Sequence, residues 1–342
     1  MKAAIYSPYL DTLGGGERYV LSVARALIET GWNVDIESSD QNLGQKVKKR
    51  FGFDLVKANF VESVQRGNGY DLCFWLSDGS VPTLFARCNV LHFQRPFSGV
   101  DGKSLLNRMK FFRINSVVVN SVFTKKWIDT EYPKKSIVVY PPVDIDKLKA
   151  GRKENMLLYV GRFSQLEQSK GQDVLVKNFI NLIEAGLRGW KLVLAGASNV
   201  GRTGFVDSLI KESVNYPITI IENAAFREIV KLYSKAKIFW SAAGYGVDEK
   251  STPEKMEHFG ISVVEAMASG AVPIIYDGGG HGEIIETGKT GYTWRKEKEL
   301  LTTTLELTEN KKRLGELAMH SIEASQKYSY ERFKKEIINL LG

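Results

Sequence analysis

Two glutamates, Glu257 and Glu265, lie eight positions apart in STPEKMEHFGISVVEAMASGAVPII, residues 251–275, with Gly260 between them. Carboxylates so close in sequence suggest an acid/base pair. In one continuous helix they would stand about 12 Å apart along the axis, at about 1.5 Å per residue. That exceeds the roughly 5–9.5 Å between the paired carboxylates of glycosidases. Gly260 also interrupts the helical pattern, which leaves Glu257 in a loop and Glu265 in the first turns of a helix. The two acids therefore have separate tasks. Ser262-x-x-Glu265 fits a capping box as well, so Glu265 either closes its own helix or faces a ligand. Glu257 is either a site residue or a solvated loop acid.

Other residues suit an anion. In LGGGERYV, Gly14, Gly15 and Gly16 place bare backbone amides where a strand meets a helix N-terminus. The dinucleotide pattern G-x-G-x-x-G fails, because position 19 is tyrosine; a plain tight turn is the other reading. In YVGRFSQLEQSKG, Arg162 follows a strand and Lys170 stands eight residues later at a helix start. Together they could clamp a diphosphate, or each could be a solvated surface cation. Gly278–Gly280, in AVPIIYDGGGHGEII, again offer amides at a strand's carboxyl end. His92 ends a strand in VLHFQRP and is either a site residue or a structural histidine. His258 and His281 are too isolated to propose a metal, and His320 belongs on the surface of a late helix.

These residues need elements to position them. In the first half AAIYSPYL, NVDIES, DLCFWL, NVLHF, SVVVNS and SIVVYPPV read as strands. RYVLSVARALIETG reads as an amphipathic helix stopped at Gly31. In the second half NMLLYVGR, WKLVLAG, ITIIE, KIFWSA and AVPIIY are the strands, and QDVLVKNFINLIEAG and FREIVKLYSKA are helices. Apolar runs alternating with helices imply an α/β fold of two Rossmann-like domains, with parallel sheets facing across a cleft. The linker is expected in YPPVDIDKLKAGRKEN, residues 140–155. The expected domains are 1–148 and 149–326. The helix 327–342 is apolar along Phe333, Ile337, Ile338 and Leu341.

The 342 residues, 43% hydrophobic and 25% charged, can bury two full cores. No apolar run is long enough to span a membrane, and the N-terminus reads as a strand and not a signal peptide. Cys73 and Cys88 lack metal-ligand spacing and suit a reducing cytoplasm. The net charge of +8 is uneven: residues 1–150 carry 21 Lys/Arg and 15 Asp/Glu. Such an excess favours an anionic partner without choosing among phosphate, nucleic acid and membrane.

The ordered set GGGER, VVVNSVFTKKW, VVYPPVD, YVGRF…KG, EHFGISVVEAMASGAVPII and GGGHGEII…TGYTW resembles the retaining glycosyltransferases of family 4, which have the GT-B architecture. The resemblance covers nearly the whole chain, and it implies an acceptor domain at 1–148, a nucleotide-sugar donor domain at 149–326 and a last helix, 327–342, that crosses back to the first domain. FWSAAGYGVDEKSTPEKMEHFG looks like a subset similar to the lipid-linked-oligosaccharide mannosyltransferases. The resemblance implies that Arg162 and Lys170 hold the diphosphate of a nucleotide-sugar and that Glu265 bonds the ribose. It implies that Glu257 and His92 act at the transferred sugar. Gly260, Ile261 and Ser262 would meet sugar and phosphate through their amides, and Gly15 and Gly16 would approach the phosphates or the acceptor. The spacing from Arg162 to Lys170 is longer than in many members, which leaves Lys170 less firmly matched. The Asp144-x-Asp146 of this sequence falls in the expected linker, and no metal or cofactor is expected. The donor leans toward GDP-mannose, with UDP-glucose, UDP-galactose and UDP-N-acetylglucosamine open. The acceptor is expected to be a glycan or a lipid-linked molecule and not a nucleic acid.

GKSLLNRMKFFRIN, residues 102–115, mixes Lys103, Arg108, Lys110 and Arg113 with Leu105, Leu106, Met109, Phe111 and Phe112. The span Lys103–Arg113 either lies on the anionic inner face of a cell membrane or packs its apolar side into the core. The rivals to a transferase are an NAD-dependent oxidoreductase, which leaves both glutamates unexplained, and a non-catalytic sugar- or nucleic-acid-binding module.

Overall fold

Short runs of β-branched and apolar residues build two parallel sheets. The computed structural model describes residues 1–163, 168–198 and 204–341. They divide into a first unit, Met1–Pro142 with Tyr330–Gly342, and a second, Val143–Ser329.

In the first unit β1 (Lys2–Tyr6), β2 (Asn33–Glu37), β3 (Ala58–Val61), β4 (Leu72–Leu76), β5 (Cys88–Phe93), β6 (Ser116–Val119) and β7 (Ser136–Val138) pair in the order 3-2-1-4-5-6-7. Each pair is parallel. The order reverses between β1 and β4, the place where such sheets leave a crevice at the strands' carboxyl ends. Helices α1 (Gly15–Glu29), α2 (Leu43–Phe51), α3 (Leu105–Phe111) and α4 (Val122–Glu131) connect the strands. The stripe Tyr19, Val20, Val23, Ala24 and Leu27 of α1 is fully buried, and Gly31 leaves the helix at φ 88°.

In the second unit β8 (Glu154–Val160), β9 (Lys191–Gly196), β10 (Ile218–Glu222), β11 (Ala236–Ser241), β12 (Val272–Tyr276) and β13 (Tyr292–Trp294) pair in the order 10-9-8-11-12-13. These pairs are parallel too, and the order reverses between β8 and β11. The helices are α5 (Gln172–Glu184), α6 (Phe205–Ser213), α7 (Phe226–Lys235), α8 (Ile261–Ala268), α9 (Glu297–Glu309) and α10 (Lys311–Ser325). Lys153 ties α7 to α8 from below. Its ammonium donates to the Ala236 carbonyl (2.8 Å) and the Ser269 carbonyl (2.5 Å), just past the two helices' C-termini, where a cation is favoured.

The last helix, α11 (Tyr330–Asn339), belongs to the first unit. Phe333 and Ile337 enter its core, and the Phe333 ring meets the Tyr19 ring edge-on at 5.1 Å. Arg25 of α1 lies 3.6 Å over the Tyr330 ring, and Lys334 pairs with Glu29 at 2.8 Å.

Candidate active site

At the reversal of the second sheet, β8 ends at Val160 and the chain turns through Gly161 to Arg162. The Gly161 amide donates to the Ala195 carbonyl (3.0 Å), and the Gln172 side-chain amide donates to the Arg162 carbonyl (2.7 Å). The backbone of Arg162 is thus fixed while its side chain stays exposed. Residues 164–167 of the motif leading to Lys170 lie outside the described residues. Beyond them, the Lys170 ammonium donates to Glu257 at 2.8 Å, and it also bonds the Gln168 side chain, whose amide meets the Met256 carbonyl. Gly171, at φ 65°, starts α5 against Ala242 at the end of β11; a Cβ there would stand 2.7 Å from the Ala242 methyl.

Glu257 sits in the loop before α8, as the interrupting glycine predicts. Burial raises its carboxyl, but the Lys170 charge, then His281 and the Lys170 hydrogen bond, outweigh this and hold it at about 2. The carboxylate is therefore ionised at neutral pH. It can accept hydroxyl groups but has no proton to give, which removes a general-acid role from Glu257. Tyr159 is buried beneath Gly161 at the same end of the sheet.

Gly260 starts α8 at φ 111°, ψ 58°. The amides of Ile261 and Ser262 form the first helical turn, where N–H groups have no intrahelical acceptor. The capping-box reading of Ser262 and Glu265 is corrected by this start: Ser262 is the second helical residue and Glu265 the fifth. Glu265 is 6% exposed, and its Oε2 accepts the Tyr233 hydroxyl of α7 at 2.9 Å. A second correction concerns Gly278–Gly280. Their expected role as free anion-binding amides gives way to packing. The Gly280 amide donates to the Glu257 carbonyl (2.7 Å), and Cβ atoms at Gly279 and Gly280 would fall 2.2 Å from the carbonyls of Glu257 and His258. These glycines let the Glu257 loop lie down on the 3-10 turn Gly279–Glu283.

Sequence reasoning missed His281. It is fully buried, its Nδ1 donates to the Tyr276 carbonyl (3.0 Å), and its Nε2 has no partner among the described residues. Its ring edge lies against Gly260, 3.0 Å from where a Cβ would be. Tyr233 and Gln168 were missed as well, because each meets its partner only through the fold.

The other candidates belong to the first unit. Glu17 caps α1 from within: the Gly14 amide donates to its Oε2 at 2.6 Å, so that amide is occupied and the first-turn amides of Gly15 and Gly16 follow it. Gly16 faces Gln94, whose Cγ would stand 3.1 Å from a Cβ there. His92 is fully buried, stacked on Tyr19 at 4.2 Å. Its Nδ1 lies 3.0 Å from the Val118 carbonyl and its Nε2 2.7 Å from the Gln94 Oε1, and the neutral ring donates to one of them. Burial lowers its pKa to about 4 against both hydrogen bonds, so the ring is neutral. Any influence of His92 on a ligand passes through Gln94. Next to the β1–β4 reversal a cavity of about 720 Å³ is lined by Tyr6 and Trp75, stacked at 3.6 Å, and by Glu37, Arg66 and Lys110.

A doubly wound sheet with cations and a helix N-terminus at its reversal is an arrangement that suits an anion. Residues 142–328, over half of the chain, match the family Glycosyl transferases group 1, and the chain belongs to that family. An uncharacterized glycosyltransferase of Methanocaldococcus jannaschii is 26% identical over 97% of this chain and 95% of its own. A probable sucrose-phosphate synthase of Thermosipho melanesiensis is 24% identical over 59% of this chain; the match spans 44% of that longer protein. Among solved structures, HepE of Anabaena, crystallised with UDP and glucose, shares the fold at a TM-score of 0.76 and 16% identity, over 99% of this chain and 98% of its own. The two-Rossmann GT-B architecture is thereby shown.

Proposed function

We propose that the protein transfers a hexose from a GDP- or UDP-sugar to an acceptor hydroxyl with retention of configuration, in glycan, polysaccharide or glycolipid assembly. The observation that carries this reading is the Lys170–Glu257 pair beside the N-terminus of α8, at the reversal of the second sheet. Departure of a nucleoside diphosphate builds negative charge on the phosphates and oxocarbenium character on the sugar. Arg162, Lys170 and the amides of Gly260, Ile261 and Ser262 would stabilise the leaving group electrostatically. With that charge supplied by side chains, the reaction proceeds without a metal and needs no cofactor. Glu257, ionised, would accept hydroxyls of the transferred sugar, and Glu265 would accept those of the ribose. Gly15, Gly16 and His92, the last through Gln94, would serve the sugar or acceptor from the first unit. Retention would follow from attack by the acceptor on the face the diphosphate leaves. The free thiols of Cys73 and Cys88 suit work in the cytoplasm.

The test is release of nucleoside diphosphate from a panel of GDP- and UDP-sugars, after a thermal-shift screen has selected the donor that stabilises the protein. Arg162→Ala and Glu257→Gln are expected to lose roughly 100-fold or more in turnover, and EDTA to change nothing. Unchanged turnover in both variants would refute the assignment.

A further inference from the structure

We infer that the solvent face of α3 docks on an anionic lipid bilayer. The helix runs Leu105–Phe111 and is held to the first unit by one buried apolar residue, Phe111, which is 6% exposed. Around it Leu105 is 77% exposed, Leu106 63%, Met109 60% and Phe112 89%. At about 100° per residue, Leu105, Met109 and Phe112 share one narrow arc, Leu106 extends it, and Phe111 points to the other side. The apolar stripe thus faces outward, the reverse of what burial of a surface helix requires. Contiguous apolar surface of this kind marks an interaction site.

Charge complementarity selects the occupant. No Asp or Glu occurs from Lys103 through Ile128, while Lys103, Arg108, Lys110, Arg113, Lys125 and Lys126 all fall there. Three of these cations are anchored at the rim of the stripe. Arg108 donates to the Lys103 carbonyl (2.9 Å), Lys110 to the Val81 carbonyl (2.8 Å) and Arg113 to the Leu84 carbonyl (2.6 Å). The Arg113 guanidinium also lies 5.1 Å over Phe85, itself 45% exposed, so the apolar surface continues past the helix. Of the acids that follow this stretch, Asp129 pairs with Lys125 at 2.9 Å and Glu131 is taken up by the amides of Gly99, Val100 and Gly102. A second copy related by a two-fold axis would bring one cationic rim against another, which opposes self-association. A bilayer offers both parts at once: acyl chains for the stripe and lipid phosphates for the rim.

This docking does not depend on the transfer reaction. The test is co-flotation of the full chain with vesicles of phosphatidylcholine alone and of phosphatidylcholine with phosphatidylglycerol. Flotation is expected with the anionic vesicles and not the neutral ones, falling steeply with salt. Replacing Leu105, Met109 and Phe112 together by Ser should weaken it about tenfold or more, with the thermal midpoint unchanged because these side chains make no core. Arg108→Glu with Arg113→Glu should remove the preference for anionic lipid. Equal flotation with both vesicles, or undiminished binding by the triple-Ser variant, overturns the proposal. So does a wild-type dimer that the triple-Ser variant turns into a monomer, which would assign the stripe to a second copy.

Discussion

Glu257 and Glu265 are separated by one turn-forming glycine yet are held by opposite means. Glu257 is an ion balanced by an ion, Lys170, whereas Glu265 is buried beneath a hydroxyl, that of Tyr233. The separation itself was legible, because a glycine amid helical residues predicts a break. Their partners were not, since Tyr233 stands 32 positions and Lys170 87 positions away. His92 shows the same limit: its place at the end of a strand could be read, but not the ring stack and two hydrogen bonds that close it off. Its pKa has a consequence at this scale. In the unfolded chain the ring titrates near 6.5, and in the folded protein near 4. The folded state therefore binds fewer protons in between, and the stability this residue lends is complete above pH 6.5 and lost as pH falls through about 4. The amount is on the order of 3 kcal/mol, at about 1.4 kcal/mol per unit. Urea midpoints between pH 7 and 4 should fall less steeply for His92→Phe than for the wild type; parallel curves would refute the buried neutral ring.

Elements were legible where both faces are covered. β8, β9 and β11 are continuous apolar runs in the middle of a sheet, and their burial leaves little choice. β3 and β13 were not foreseen: ANFV and YTW are short and carry no continuous apolar run, unlike the edge strands β7 and β10 with SIV and ITII. α3 marks another boundary, since periodicity gives a helix an apolar arc but not the side on which a neighbour stands. The start of α8 carries a prediction. Gly260→Ala would place a side chain at φ 111° and a methyl 3.0 Å from the His281 ring and 3.3 Å from Ile284. A loss of about 1–3 kcal/mol is expected from the backbone conformation alone, together with loss of donor binding as the first-turn amides turn away. Chemical denaturation and donor titration of the same variant measure both; wild-type stability would exclude strain at this position.

At the scale of the chain, two Rossmann-like units could be read from the alternation of strands and helices. The excess positive charge of the first half prefigured the cations that cluster around α3. The first unit is discontinuous: α11, separated from the rest by the second unit, completes a core that already holds Tyr19 and Val20. Phe333→Ala should cost about 3–5 kcal/mol, as for other buried phenylalanines. Amide exchange should register the loss in α1, β5 and α11 while β8 and β9 keep their protection. Equal loss of protection in β8 and β9 would show that the two cores do not answer separately.

The placement of α11 also sets an order of assembly on the ribosome. Domains fold as they emerge, N-terminal first, at about 5–20 residues per second, but here the first sheet emerges well before the residues that cover it. The Tyr19–His92 stack must wait, uncovered by Phe333, while the entire second unit is translated. The nascent first unit therefore spends that interval, on the order of ten seconds or more at these rates, with part of its core uncovered. A chain cut short before residue 330 has a first unit whose core lacks Tyr330, Phe333 and Ile337.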